Sequence, residues 1–68
     1  MIRVTINGRP RQLEGPTALP ELLAREAGER LEAVAVGINR RVIPRHEWHN
    51  TCIDEGDDIE IIAPLAGG

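Results

Sequence analysis

Ile2-Arg3-Val4-Thr5-Ile6-Asn7-Gly8 is the stretch from which the fold is read. Ile2, Val4 and Ile6 alternate with Arg3, Thr5 and Asn7, a period of two that belongs to a half-buried strand. Asn7-Gly8 tolerates positive φ at both central positions of a type I′ turn, the turn that joins two antiparallel strands most tightly. Arg9 to Glu14 is therefore the returning strand. Pro10 has no N–H to give to a ladder, which places this strand at a sheet edge.

Outward from that hairpin, Gly15-Pro16 breaks the strand. Thr17 is expected to cap the following helix through its hydroxyl. Pro20 falls in the first turn, where a missing N–H is harmless. Leu19, Leu22, Leu23 and Ala27 form one helical stripe and Gly28 suits a C-cap, so the helix runs roughly over Ala18–Ala27. Ala33 to Asn39 points Val34, Val36 and Ile38 one way. The small residues Ala33, Ala35 and Gly37 point the other way, which admits another backbone or leaves a bare sheet face. Asn39-Arg40-Arg41 turns into a short strand, Val42-Ile43-Pro44, and Arg45 to Trp48 makes a single helical or 3₁₀ turn. Glu55-Gly56-Asp57 is a turn with Gly56 in the left-handed region. Asp58 to Ala63 is the last strand, with Ile59 and Ile61 inward. The first and last strands are the most apolar by alternation. They are expected to pair in the centre, parallel, across a long helical crossover. The predicted class is α+β: a β-grasp, ubiquitin-like mixed sheet of about four to five strands over one helix. A β-grasp domain over residues 1–63 would carry a mobile tail over 64–68.

Composition narrows the function. The 68 residues hold one domain, and 41% hydrophobic content is enough for one core. All the basic residues are arginine, they are scattered, and the net charge is −3, which argues against a nucleic-acid partner. A single cysteine, Cys52, fits a reducing cytoplasm. No apolar run approaches ~18 residues, and the first residues lack a signal-peptide core. The expectation is a soluble cytoplasmic protein without a membrane partner.

No Ser/His/Asp grouping, cysteine pair or Gly-rich phosphate loop occurs, so the chain is expected to have no active site and no cofactor of its own. His46 and His49 are three apart, with Cys52 three further on. On one helical face they could share a metal, but a zinc site needs further committed ligands. The preferred reading is two surface histidines and a small buried thiol, with no metal. Trp48 is read as a plug at the rim of the core in preference to a partner-binding anchor. Asp54, Glu55, Asp57 and Asp58 are read as solvated turn residues in preference to a basic-partner site. Arg40 and Arg41, at a hairpin tip, fit an acidic partner patch and a solvated turn equally well.

The chemistry lies at Pro64-Leu65-Ala66-Gly67-Gly68. Two glycines without Cβ can thread a narrow channel, and five extended residues carry the α-carboxylate roughly 16 Å from the body. That acid is ionised near neutral pH, since its reference pKa is ~3.5. A carboxylate reacts only once activated, and an acyl-adenylate made with ATP on a second protein is the biological route.

At this point the sequence resembles the ThiS-type sulfur carriers of thiamine biosynthesis, within the ThiS/MoaD group. Val34-Ala35-Val36-Gly37-Ile38-Asn39 with Val42-Ile43-Pro44-Arg45 and Trp48 is similar to the family's VAVN…VVPRxxW stretch. Glu55-Gly56-Asp57-Asp58-Ile59-Glu60-Ile61 is similar to its DGDxVEI turn, and Gly67-Gly68 to its terminus. Glu55 stands where aspartate is usual and Gly37 where alanine is. The resemblance implies a carrier that is a cosubstrate and not an enzyme. A ThiF-like adenylyltransferase would adenylate Gly68, a sulfur donor protein would convert it to a thiocarboxylate, and a ThiG-like thiazole synthase would accept the sulfur. Leu65, Ala66 and Gly67 would lie in the partner's channel. With Pro64 and Arg41 they complete the expected partner-binding set. The alternatives left open are a MoaD-like carrier for molybdopterin or cysteine synthesis, and a ubiquitin-like protein modifier.

Overall fold

In the computed structural model the alternating stretch forms strand β1 (Ile2–Ile6), with Ile2, Val4 and Ile6 buried and Arg3 exposed. The structure describes residues 1–63, apart from the side chains of Glu29, Arg30 and Glu32. Asn7 and Gly8 take φ of 52° and 81°, and β2 (Arg9–Leu13) returns antiparallel with Ile6 opposite Arg9 and Ile2 opposite Leu13. Pro10 does lie on an edge strand.

The segment after the hairpin differs from expectation at its first residue. Thr17 is not a helix cap: it lies in a two-residue strand, β3 (Thr17–Ala18), and its hydroxyl donates to the Gly15 carbonyl at 2.8 Å. Helix α1 (Leu19–Ala27) starts from Ala18 without a side-chain cap. Its first N–H, from Leu19, donates instead to the Thr51 carbonyl at 2.9 Å, which serves one of the otherwise unpaired donors of a helix start. Leu19, Leu22 and Leu23 are fully buried. Gly28, at φ 55°, ends the helix, and a 3₁₀ segment over Gly28–Ala33 follows.

The remaining elements are β4 (Ala35–Ile38), β5 (Arg41–Val42), a 3₁₀ segment over Arg45–Asn50, β6 (Cys52–Ile53) and β7 (Asp58–Ile62). Ile43, expected within a strand, gives its N–H to the Val36 carbonyl at 2.8 Å just beyond β5. The main sheet has the order β2-β1-β7-β4-β5. As expected, β1 and β7 pair parallel in the centre, with Ile6 opposite Ile59. The small sheet of β3 and β6 pins the start of α1 to the segment after the second 3₁₀ turn. The five-stranded mixed sheet with one helix across its face is the β-grasp arrangement.

Two asparagines hold β7 from both flanks. Asn7 donates its backbone N–H to the Ile59 carbonyl at 2.8 Å, and its side-chain oxygen accepts from Ile61 N–H at 2.8 Å. Its amide thus prolongs the parallel ladder after β1 has turned away. Asn39 does the same on the other side: its N–H donates to the Asp58 carbonyl at 2.8 Å and its side-chain oxygen accepts from Asp58 N–H at 2.9 Å. At the far edge, the Arg11 guanidinium grips the Glu26 carboxylate with bonds of 3.0 and 2.8 Å, tying β2 to α1. The hydrogen bonds and charge of Glu26 push the Arg11 pKa above its ordinary value.

Candidate functional site: the open sheet face and the base of the tail

Side chains alternate along each strand, so the strands that bury one set against α1 present the other set to solvent. On β1 and β2 that open face is mostly polar, with Arg3, Thr5 and Gln12 around Pro10. On β4, β5 and β7 it is mixed, with Ala35, Gly37, Val42 and Ile62 beside the acidic Glu60. Ala35 lies opposite Ile62, and Gly37 lies between Val42 and Glu60. Val42 is 80% exposed and Ile62 60% exposed. Together with Arg40 and Arg41 these residues shape a groove of about 280 Å³. Its floor is bare by composition and not through crowding: a Cβ on Gly37 would meet nothing closer than the Arg41 carbonyl at 3.6 Å.

The predicted site residues Pro64, Leu65, Ala66, Gly67 and Gly68 lie outside the described residues. What is described is their base, strand β7, held by Asn7 and Asn39. Arg41 opens β5 opposite Ile38, beside the groove. Arg40 stands at the turn before it with φ 70°. Among the described residues neither arginine has an ion pair or side-chain hydrogen bond.

The other candidates fall elsewhere. His46 and His49 lie exposed in the 3₁₀ segment Arg45–Asn50, with His46 at 4.0 Å from Glu47. Cys52 was expected to be a buried thiol and is exposed, because Ile53 takes the inward position of β6. Among the described residues no group of three or more His, Cys, Asp or Glu side chains is placed to hold a metal ion. Trp48 is a rim-of-core residue: it is buried, its indole N–H donates to the Ile43 carbonyl at 2.9 Å, and the Arg45 guanidinium sits 5.1 Å above its ring. The acidic group is turn chemistry. Asp57 accepts from Asp54 N–H at 2.8 Å and from the Asn39 amide at 3.0 Å, while Glu55 accepts from Arg3 N–H at 3.0 Å.

Sequence reading missed that Val42 and Ile62 line one groove on the open face, on either side of β4. The signal that would have found it is register: Val42 shares the phase of Gly37, and Ile62 shares the phase of Glu60. Among the described residues no helix is long and apolar enough to cross a membrane.

Comparison with known proteins bears on this arrangement. The profile described as the ThiS family matches residues 4–68. A sulfur carrier protein ThiS from Thermus thermophilus is 40% identical over 65 residues, covering 96% of this chain and 98% of that protein. A thiazole synthase from Paramagnetospirillum magneticum is 30% identical over 67 residues, covering 98% of this chain and 20% of its own length. The crystal structure of a thiamine biosynthesis protein (ThiS) from Geobacter metallireducens superposes with a TM-score of 0.84 at 29% identity, covering 98% of this chain and all of that one.

Proposed function

Because the chain belongs to the ThiS family, we propose that it carries sulfur for thiazole formation on the terminal carboxyl group of Gly68. The acid is first activated outside this chain: a carboxylate oxygen attacks the α-phosphorus of ATP on a ThiF-like partner, and pyrophosphate leaves. The terminal sulfur of a donor persulfide then attacks the acyl carbon and AMP leaves. A thiol reduces the resulting acyl disulfide and frees the thiocarboxylate. That sulfur passes to a thiazole synthase. The chain is a cosubstrate throughout, and the reaction is expected in the cytoplasm.

The observation that carries this reading is the family match, which reaches Gly68 itself. The thiazole synthase relative supports the identity of the acceptor. One fifth of that protein resembles this chain almost end to end, as expected if a carrier of this kind and its acceptor were joined in one polypeptide. The body fits the task as well. Residues 1–63 form the domain that partners grip, with Arg41 and the groove of Val42 and Ile62 as the docking face. Pro64, Leu65, Ala66 and Gly67 are the slender lead into the adenylating site, where absent Cβ atoms at the last two positions let the backbone approach closely.

Intact-mass spectrometry tests the proposal. The protein incubated with the adenylating enzyme, ATP and a persulfide donor should gain the mass difference between sulfur and oxygen. Deleting Gly68, or adding one residue after it, should abolish the gain and leave the melting curve unchanged. Sulfur uptake by the extended variant would overturn the assignment of Gly68.

A further inference from the structure

The two tight turns of the main sheet are spelled alike, Ile6-Asn7-Gly8-Arg9 and Ile38-Asn39-Arg40-Arg41, and each places its asparagine at φ 52°. Both asparagines are exposed, and both direct their side chains at β7 or the turn that leads into it. The Asn7 side-chain oxygen accepts from Ile61 N–H at 2.8 Å, and its amide donates to the Ile61 carbonyl at 3.3 Å. The Asn39 oxygen accepts from Asp58 N–H at 2.9 Å, and its amide donates to the Asp57 carboxylate at 3.0 Å. The bonds are alike in form, but the next residue is not: Gly8 follows Asn7, and Arg40 follows Asn39.

That neighbour governs how an asparagine reacts in water. The backbone nitrogen of the following residue can attack the side-chain amide carbon and close a succinimide ring. A C–N bond forms to the backbone, the bond to the side-chain nitrogen breaks, and ammonia leaves with the proton of the attacking nitrogen. Water then opens the ring at either carbonyl, giving aspartate or, with the main chain rerouted through the side chain, isoaspartate. Glycine leaves the attacking nitrogen unshielded because it has no Cβ. The space at Gly8 is open, since a Cβ there would meet nothing within 4 Å. Arg40 carries a Cβ and a long side chain at the equivalent position.

The fold opposes this reaction at Asn7. To meet the Gly8 nitrogen, the side chain must swing back over the following peptide and release Ile61. Ring closure therefore proceeds from a locally opened state in which the end of β7 has lost its partner, and the rate follows the population of that state. The product cannot restore what was lost. Aspartate has no N–H for the Ile61 carbonyl, and isoaspartate lengthens the backbone of a turn that sets the register of β1 and β2.

We propose that Asn7–Gly8 is a site of spontaneous modification, and that the Asn7 amide is a latch on β7 whose hydrolysis loosens the strand at the foot of the tail. This does not rest on the sulfur-carrier reading. Peptide mapping of protein held in warm, mildly alkaline buffer follows both asparagines in one sample. In urea above the unfolding midpoint, Asn7 should gain the mass difference between a hydroxyl and an amino group at least about tenfold faster than Asn39. It should also convert at least about tenfold faster there than in the folded protein. Asn7→Asp, which is one of the products, should melt a few degrees lower, and its Ile61 N–H should exchange with deuterium several times faster. Converted chains separated by ion exchange from an aged sample provide the same two readings without a substitution.

Conversion of Asn7 and Asn39 in urea within about twofold of each other would remove the site. Equal rates at Asn7 with and without urea would show that Ile61 does not guard it. Unchanged melting and unchanged exchange at Ile61, in both Asn7→Asp and the converted chains, would show that the amide is no latch.

Discussion

The face of the sheet under the helix presents Val4, Ile6, Val36, Ile38 and Ile59, all buried, while the same strands present Arg3, Thr5, Ala35, Gly37, Glu60 and Ile62 on the open face. Successive residues of one strand therefore serve different ends. The covered set supplies the burial that holds a 68-residue chain together, at about 25 cal/mol per Å² of apolar surface removed from water. The open set splits again. Its β1–β2 half is mostly polar, as an unburied sheet surface should be, and its β4–β5–β7 half leaves Val42 and Ile62 uncovered beside Glu60. An apolar patch that the fold leaves bare marks an interaction surface. The covered face and the proposed docking face are thus separated by a single residue of phase.

That separation can be broken by substitution. Ile59→Asp places an unpaired charge at a position that is 0% exposed, and its cost of about 4 kcal/mol or more should exceed the stability of the domain. Circular dichroism should show no cooperative melt, and a melt like that of the unsubstituted protein would mean the strand phase is wrong. Asn39→Ala removes the side-chain bonds to Asp58 N–H and to the Asp57 carboxylate and leaves alanine at a positive φ. A loss of about 1–2 kcal/mol, read as a lower urea midpoint at unchanged slope, is expected. Val42→Ser, on the open face, should alter stability by no more than about 0.5–1 kcal/mol while clearly weakening capture of the adenylating enzyme. A large stability loss there, or undiminished capture, would erase the distinction between the faces.

Much of this was legible in the sequence because it is carried by local patterns. The alternation of Ile2, Val4 and Ile6 sets the phase of β1, Asn7-Gly8 sets the hairpin, and the stripe of Leu19, Leu22 and Leu23 sets the face of α1. The parallel centre followed from a connection too long for a hairpin. What escaped was non-local. The strands β3 and β6 have two residues each, too few to show a period, so Thr17 read as a cap when it belongs to a ladder. Cys52 read as buried because thiols usually are, but in a two-residue strand only one side chain points inward and Ile53 is that one. Arg40 read equally as a partner contact and as a solvated turn residue, and its φ of 70° is invisible in a spelling that lacks glycine. Gly68, where the proposed chemistry would occur, lies outside the described residues, and the open groove came from register alone.

The placement of β7 between β1 and β4 has a consequence for biosynthesis. A nascent chain stalled before Asp58 consists of two separate hairpins and a helix with no shared centre. The contacts that join the first hairpin to β7 pair Thr5 with Asp58 and Ile6 with Ile59, and such contacts form only after the intervening segment is available. Prematurely terminated products therefore lack the assembled groove and do not compete with the finished protein for its partners.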